Sequence, residues 1–181
     1  PAGCVIASAG DGYALELGSA VLDLDQFEER LRDARASWQR REKAQAAAFL
    51  SSALGLWRGA ALAGVPGPHA ESRRVQLTEF HLAAEQGRLA MDIAAGEHTA
   101  AIADLRALIT QHPFREVLAE LLMLALYTAG RQADALTMYD TVRRGLRDEL
   151  GIDPGPGLQD MRQRILRADG QLLGLAERHV A

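Results

Sequence analysis

The sequence predicts an all-α fold of about seven helices, preceded by a short β-hairpin. Apolar residues from Leu118 to Leu126 recur at the spacing of a helix face, and the pattern stops at Gly130, a residue type that readily adopts the positive φ of a helix end. A second apolar stripe follows from Ala135 to Leu146. This part of the chain is therefore predicted to be a hairpin of two helices joined by a tight turn.

The same helical hairpin occurs twice along the chain. Gly96 precedes Gly130 by 34 residues, and each glycine is followed five residues later by an alanine, Ala101 or Ala135. In both copies the alanine is followed by a larger side chain four positions later and by an apolar residue three positions after that. A 34-residue period with this pattern is typical of tetratricopeptide repeats. We therefore predict stacked helical hairpins, with Ala101 and Ala135 where paired helices are closest.

The other helices are predicted from the same periodicity and from the residues that interrupt it. Trp38 and Trp57 lie at helical spacing among aliphatic residues, so we interpret them as core residues rather than as platforms for stacked bases. The helix that carries Trp57 is expected to end at Arg58-Gly59. A loop rich in glycine and proline should lead into a long helix from about His69 to Ala95, and Pro156 suits the first turn of the last helix.

Residues 1–18 differ in character from the rest of the chain. Val5-Ile6 and the run from Tyr13 to Leu17 are prone to form strands, and they flank Gly10-Asp11-Gly12, which predicts a β-hairpin. An isolated two-stranded hairpin is marginally stable in water. The hairpin should therefore belong to something larger, either packed on the helices or left from a domain cut away upstream.

The composition argues against several classes of function. The net charge of −4 argues against nucleic-acid binding by this chain alone, because domains that bind nucleic acid are usually strongly basic. No apolar run approaches the roughly 20 residues that span a bilayer, so no membrane association is expected. The single cysteine, Cys4, excludes an internal disulfide and fits a reducing cytoplasm.

Residue patterns that would indicate catalysis are missing. The five histidines are scattered, with no HExxH and no paired spacing on one helical face. There is no GxSxG and no P-loop, and Gly10-Asp11-Gly12 is too short to cradle a phosphate. We expect no enzyme activity, no cofactor and no metal site.

Arginines near the end of the chain are the best candidates for contact with an acidic partner. They are Arg143, Arg144, Arg147, Arg162 and Arg164. The alternative is a solvated face of mixed charge, because Asp148 and Glu149 follow the first three arginines directly.

Three segments carry a resemblance to a known family. They are ALGLWRGAALAGV at 53–65, HPFREVLAELLMLALYTAGRQADAL at 112–136 and DELGIDPGPGL at 148–158. With this order and spacing, residues 20–172 resemble the bacterial transcriptional activator domain of the Streptomyces antibiotic regulatory proteins. The turn LAGVPGPHAE at 62–71 is most similar to the large AfsR-type members.

The resemblance implies a domain of a transcriptional activator of antibiotic, or secondary metabolite, biosynthesis. Residues 1–18 would then be the last hairpin, or wing, of a winged-helix DNA-binding domain like those of two-component response regulators. Gly10, Asp11 and Gly12 would form the tip of the wing, and Gly12-Tyr13 matches the Gly-Tyr of the family. Promoter DNA would be read by the upstream part of that domain, so this chain alone is not expected to recognise a promoter.

The helical domain at 20–172 would, by the same resemblance, contribute to self-association on DNA and to recruitment of RNA polymerase. In AfsR-type members a nucleotide-binding module follows in the same chain. Residues 173–181 are expected to be a flexible tail. The alternative function is a tetratricopeptide-like scaffold that binds a peptide in its groove and has no role in transcription.

Overall fold

The computed structural model describes residues 5–169 together with Leu172 and Gly174. Within those residues the elements are, in order, β1 (Val5–Ala9), β2 (Gly12–Glu16), α1 (Asp23–Gln39), α2 (Lys43–Leu54), α3 (Pro68–Ala95), α4 (His98–Gln111), α5 (Glu116–Thr128), α6 (Gln132–Gly145), a π-helical turn (Leu146–Leu150) and α7 (Pro156–Leu166). The predicted fold class, helical hairpins after a short β-hairpin, is confirmed. The predicted tail lies outside the described residues except for Gly174.

The chain divides into two compact units, Pro1–Ala70 and Glu71–Ala181. In the first unit β1 and β2 form an antiparallel hairpin in which Ala9 pairs with Gly12. The loop between the strands is Gly10-Asp11, and Gly10 has a φ of +56°. A positive φ at the first residue of a two-residue loop suits the right-handed twist of the strands, and glycine adopts it without steric cost.

Helices α1 and α2 pack together through apolar side chains, most of them alanines. Phe27 and Ala34 of α1 are buried, as are Ala46, Leu50 and Ala53 of α2. Near the end of α1, the hydroxyl of the fully buried Ser37 accepts a hydrogen bond from Nη2 of Arg40 at 3.1 Å.

The predicted end of α2 at Arg58-Gly59 is wrong. The helix ends at Leu54, and Gly55 takes the C-cap position, which is consistent with the poor helix propensity of glycine. Trp57 therefore lies beyond the helix. Its ring packs edge-on against the buried ring of Phe27, with centroids 5.4 Å apart and an interplanar angle of 80°. Trp57 and Trp38 are both half-buried, and Nζ of Lys43 lies 5.5 Å from the ring centroid of Trp38.

In the second unit α5 is the central helix. Every residue from Leu121 to Leu126 is buried, as are Leu118 and Ala119. A helix that is apolar all round must be covered on several sides, and α4, α6 and α7 all pack against it. The covering helix α7 begins with Pro156 in its first turn, as predicted, and buries Leu158, Met161 and Ile165.

The two predicted repeat turns have the same geometry. Gly96 and Gly130 have φ values of +91° and +76°. The N–H of Gly96 donates to the carbonyl of Ile93 at 3.1 Å, and the N–H of Gly130 donates to that of Tyr127 at 2.9 Å. The next residue along donates five residues back in each case, from Glu97 to Asp92 and from Arg131 to Leu126. These paired bonds form a Schellman motif, so the 34-residue offset equates the two turns.

Candidate interaction surfaces

The predicted wing tip, Gly10, Asp11 and Gly12, is exposed at the end of the hairpin. The hairpin sequence contains no lysine or arginine, while Asp11 and Glu16 are acidic. A contact between this tip and a phosphate would therefore have to come from backbone N–H groups rather than from cationic side chains.

The arginines of α6 and its π-helical extension meet at one carboxylate. Arg147 Nε lies 3.0 Å from Oδ1 of Asp153, and Arg143 Nε lies 3.9 Å from the same oxygen. Arg144 Nε donates to the backbone carbonyl of Asp140 at 3.3 Å. The sequence places Arg143 and Arg147 one helical turn apart, and the structure brings both to Asp153 in the loop before α7.

The two arginines of α7 lie in different surroundings. The guanidinium of Arg162 lies over the ring of Tyr139 on α6, 5.1 Å from its centroid. Arg164 instead pairs with Asp160 at 2.9 Å and with Asp169 at 3.5 Å. Residues two positions apart on a helix point in nearly opposite directions, so the five predicted arginines do not form one patch. Arg162 contacts α6 through Tyr139, whereas Arg164 is paired with the carboxylates of Asp160 and Asp169.

Two glutamates of α5 lie against the start of α7. The N–H of Gly155, the N-cap residue of α7, donates to Oε2 of Glu116 at 2.7 Å. Glu120, one turn further along α5, lies so close to Gly157 that a Cβ at that glycine would overlap with its Oε1 atom. The sequence predicts Pro156 in the first turn of the last helix but does not predict this contact with α5. Gly155 and Gly157 allow the first turn of α7 to approach α5 closely.

An ion-pair network joins α3 to α4. Arg88 pairs with Glu85 at 3.0 Å, with Asp92 at 2.8 Å and, across to α4, with Asp104 at 2.8 Å. Burial opposes the charge on Arg88, but the hydrogen bond to Asp104 and the other two carboxylates outweigh it and raise the pKa of the guanidinium. Burial also raises the pKa of Asp92, although Arg88 counteracts part of this effect.

A further ion pair ties α3 to the start of α5. Nη2 of Arg115 lies 2.5 Å from a carboxylate oxygen of Glu79. The hydrogen bond from Arg115 lowers the pKa of the Glu79 carboxyl, and burial opposes this only in part. Both side chains are substantially exposed, so this pair contributes little to stability at ordinary salt concentrations.

Neither metal-binding nor membrane-spanning features occur in the described part of the chain. Its His, Cys, Asp and Glu residues form no group of three or more that could hold a metal ion. None of its helices combines the length and apolar character required to cross a membrane.

Stacked helical hairpins are an architecture that commonly presents surfaces for binding other macromolecules. Residues 22–166 match the family model of the bacterial transcriptional activator domain, and the chain belongs to this family. The resemblance of residues 20–172 to that family is thereby confirmed.

The similar proteins are transcriptional regulators. The chain is 47% identical over 173 residues to the regulatory protein AfsR of Streptomyces coelicolor, an alignment that covers 95% of this chain and 17% of that protein. It is 39% identical over 165 residues to the transcriptional regulatory protein EmbR of Mycobacterium tuberculosis, covering 90% of this chain and 42% of EmbR. The chain thus spans less than half the length of either relative.

A solved structure shares the fold. It is that of Mycobacterium tuberculosis EmbR in complex with a low-affinity phosphopeptide, with a TM-score of 0.87 and 34% sequence identity. The match covers 97% of this chain and 47% of that chain. It therefore takes in the β-hairpin as well as the helices.

Proposed function

We propose that this chain is the regulatory and interaction domain of a cytoplasmic transcriptional activator that controls antibiotic or other secondary metabolite biosynthesis. The match of residues 22–166 to the activator domain family carries the proposal. The AfsR and EmbR relatives favour it over a peptide-binding scaffold unrelated to transcription, because both are regulatory proteins.

The proposal assigns the hairpin and the helices to different domains with different roles. The family match begins at residue 22, after the hairpin, whereas the EmbR match covers 97% of the chain. This supports a hairpin that belongs to a preceding unit, the wing of a winged-helix domain whose upstream part reads promoter DNA. The lack of lysine and arginine in the hairpin fits a secondary role in DNA contact.

The helical domain, in this proposal, binds RNA polymerase and a second copy of the regulator on DNA. Its best surface for an acidic partner comprises Arg143, Arg144, Arg147 and Arg162. Arg143 and Arg147 are about half exposed and share one exposed carboxylate, Asp153. Exposed pairs of this kind are worth about 0–1 kcal/mol, so carboxylates of a partner could replace Asp153 at small cost. The likeness to AfsR-type members extends the proposal to a nucleotide-binding module in the same polypeptide.

Charge reversal in the full-length regulator tests this surface. We expect Arg143→Glu with Arg147→Glu to reduce transcription from the target promoter while leaving promoter occupancy and thermal stability close to those of the parent. Arg32→Glu with Arg35→Glu is the matched control, because it reverses two exposed arginines on one face of α1. If both pairs leave transcription unchanged, the α6 arginines are only a solvated face.

A further inference from the structure

Asp153 contacts Arg143 and Arg147, which we call the arginine pair, as a bound carboxylate ligand would. Nε of Arg147 donates to Oδ1 of Asp153 at 3.0 Å, and Nη2 of Arg147 lies 3.5 Å from Oδ2. This arrangement approaches the two-point fork by which a guanidinium binds both oxygens of a carboxylate. Nε of Arg143 lies 3.9 Å from the same Oδ1 atom. The contact with Asp153 thus shows that the arginine pair is arranged to accept a carboxylate.

The loop that carries Asp153 is held on both sides by other bonds. Before Asp153, the N–H of Ile152 donates to the carbonyl of Leu146 at 3.3 Å. After Asp153, the N–H of Gly155 donates to Oε2 of Glu116 at 2.7 Å. A backbone fixed in this way keeps the Asp153 carboxylate beside the arginine pair at a high effective concentration. The loop should therefore keep its course when the charge of Asp153 is removed.

The arginine pair remains accessible although Asp153 contacts it. The side chains of Arg143, Arg147 and Asp153 are 44%, 54% and 59% exposed. Attraction between exposed charges is weakened by water and by salt, so the contact with Asp153 is easily exchanged. A carboxylate from outside can therefore reach the guanidinium groups and compete with Asp153 for their N–H donors.

We propose that Asp153 is a built-in competitor that lowers the affinity of the arginine pair for the carboxylates of a partner protein. The competitor role rests on the proposed function, in which this surface contacts an acidic partner, and it adds how that contact is regulated. Because Asp153 and the partner use the same N–H donors, removing the charge of Asp153 should strengthen binding. If Asp153 instead oriented the arginines for the partner, removing its charge would weaken binding.

Binding of fluorescein-labelled hexaglutamate to the 181-residue chain tests the sign of this effect. Fluorescence anisotropy would be measured at low ionic strength, where attraction between exposed charges is screened least. We expect Asp153→Asn to bind hexaglutamate about two- to fivefold more tightly than the parent, the range that one exposed ion pair supplies. Unchanged or weaker binding by a folded Asp153→Asn variant would overturn the proposal.

Asp148→Asn is the matched control for the change in charge. Asp148 is exposed and directly follows Arg147, but adjacent residues of a helix point in different directions. Asp148→Asn and Asp153→Asn each remove one exposed negative charge close to the arginine pair. Asp148→Asn should strengthen hexaglutamate binding much less. Equal gains would show that only the local net charge matters, and the competitor role would be wrong.

Two further variants show whether the gain passes through Arg147. Arg147→Gln combined with Asp153→Asn should bind hexaglutamate no more tightly than Arg147→Gln alone, because the principal contact of Asp153 is already lost. A gain that persists in the Arg147→Gln background would contradict the proposal. Asp153→Ser, which also removes the charge, replaces Asp153→Asn in all these comparisons if the asparagine variant fails to fold.

Transcription by the full-length regulator separates the competitor role from the proposed function. At a limiting concentration of RNA polymerase, Asp153→Asn should raise transcription, whereas reversing the charges of the arginine pair should lower it. If Asp153→Asn strengthens hexaglutamate binding but neither change alters transcription, Asp153 is a competitor and the proposed partner surface is wrong. If reversing the arginine pair lowers transcription while Asp153→Asn alters neither hexaglutamate binding nor transcription, the proposed function stands and the competitor role is wrong.

Discussion

The carboxylate of Glu116 accepts a hydrogen bond at 2.7 Å from the backbone N–H of Gly155, a residue 39 positions later in the chain. Gly155 is the N-cap of α7, so the carboxylate lies at the positive end of that helix's dipole. Many helices are capped by a side chain of their own N-terminal residue. Here the cap comes from α5, and it fixes where α7 begins against the central helix.

Removing this cap should destabilise the domain. We expect Glu116→Ala to lower the free energy of unfolding by about 1–2 kcal/mol, because a half-buried, charge-assisted hydrogen bond is lost. Glu116→Gln should cost less, since its amide oxygen can still accept the bond. Urea denaturation measures both. Glu97→Ala is the control, because Glu97 stands at the start of α4 and makes no side-chain capping bond. A Glu116→Ala domain as stable as the parent would contradict the capping role.

The repeat alanines are predicted to tolerate no larger side chain. Ala135 is fully buried on α6, in the second of the two helical hairpins. Ala135→Trp should therefore overpack the contact between α5 and α6 and cost about 1–3 kcal/mol or more. Ala133→Trp, at an exposed position on the same helix, should change stability by much less. Equal thermal midpoints for the two variants would show that Ala135 does not set the distance between the helices.

Two carboxyls of α3 should give opposite pH dependences of stability. Burial raises the pKa of Asp92 above its ordinary value of 3.8. The protonated carboxyl therefore stabilises the folded state below pH 3.8, and this stabilisation is lost as pH rises through the raised pKa. Arg115 lowers the pKa of Glu79 below 4.5. The ionised Glu79 carboxylate therefore stabilises the folded state above pH 4.5, and this stabilisation is lost as pH falls through the lowered pKa.

Amide variants separate these two effects. Between about pH 3 and pH 6, the stability of the parent relative to Asp92→Asn should fall as pH rises, whereas its stability relative to Glu79→Gln should increase. Chemical denaturation across that range measures both differences. The account of these two carboxyls is wrong if the two differences change in the same direction.

The repeat geometry could be predicted from the sequence because it depends on local features. Gly96 and Gly130 mark helix ends through their own backbone preference, and Ala101 and Ala135 lie at buried positions of α4 and α6. Each signal lies within a few residues of the structure it predicts. The same argument explains why the first turn of α7 was predicted from Pro156.

Other features depend on geometry that the sequence does not display. The apolar stripe from Ala46 continues in register to Trp57, so periodicity alone extended α2, whereas Gly55 ends it. The π-helical turn was missed because Leu146 keeps the spacing of an α-helix with Val142. The pairing of Glu116 with Gly155 spans 39 residues and exists only once α7 has packed on α5.

The arrangement of the five candidate arginines also depends on packing between helices. Arg143 and Arg147 are one turn apart, so they lie on the same side of the helix. Arg162 lies over the ring of Tyr139, and Arg164 pairs with Asp160 and Asp169. Which side of α7 faces α6 is decided by the packing of Leu158, Met161 and Ile165, and charge patterning alone does not reveal it.

The division between a helical regulatory domain and an upstream DNA reader is tested most directly by DNA binding. A gel-shift titration at one salt concentration would compare residues 1–181 with the full-length regulator on the target promoter and on a scrambled duplex of equal length. Residues 1–181 should bind both duplexes weakly or not at all, because the chain is acidic and its hairpin lacks cationic side chains. The full-length regulator should shift the promoter specifically. Specific promoter binding by residues 1–181 alone would contradict the account, because the helical domain would then read DNA itself.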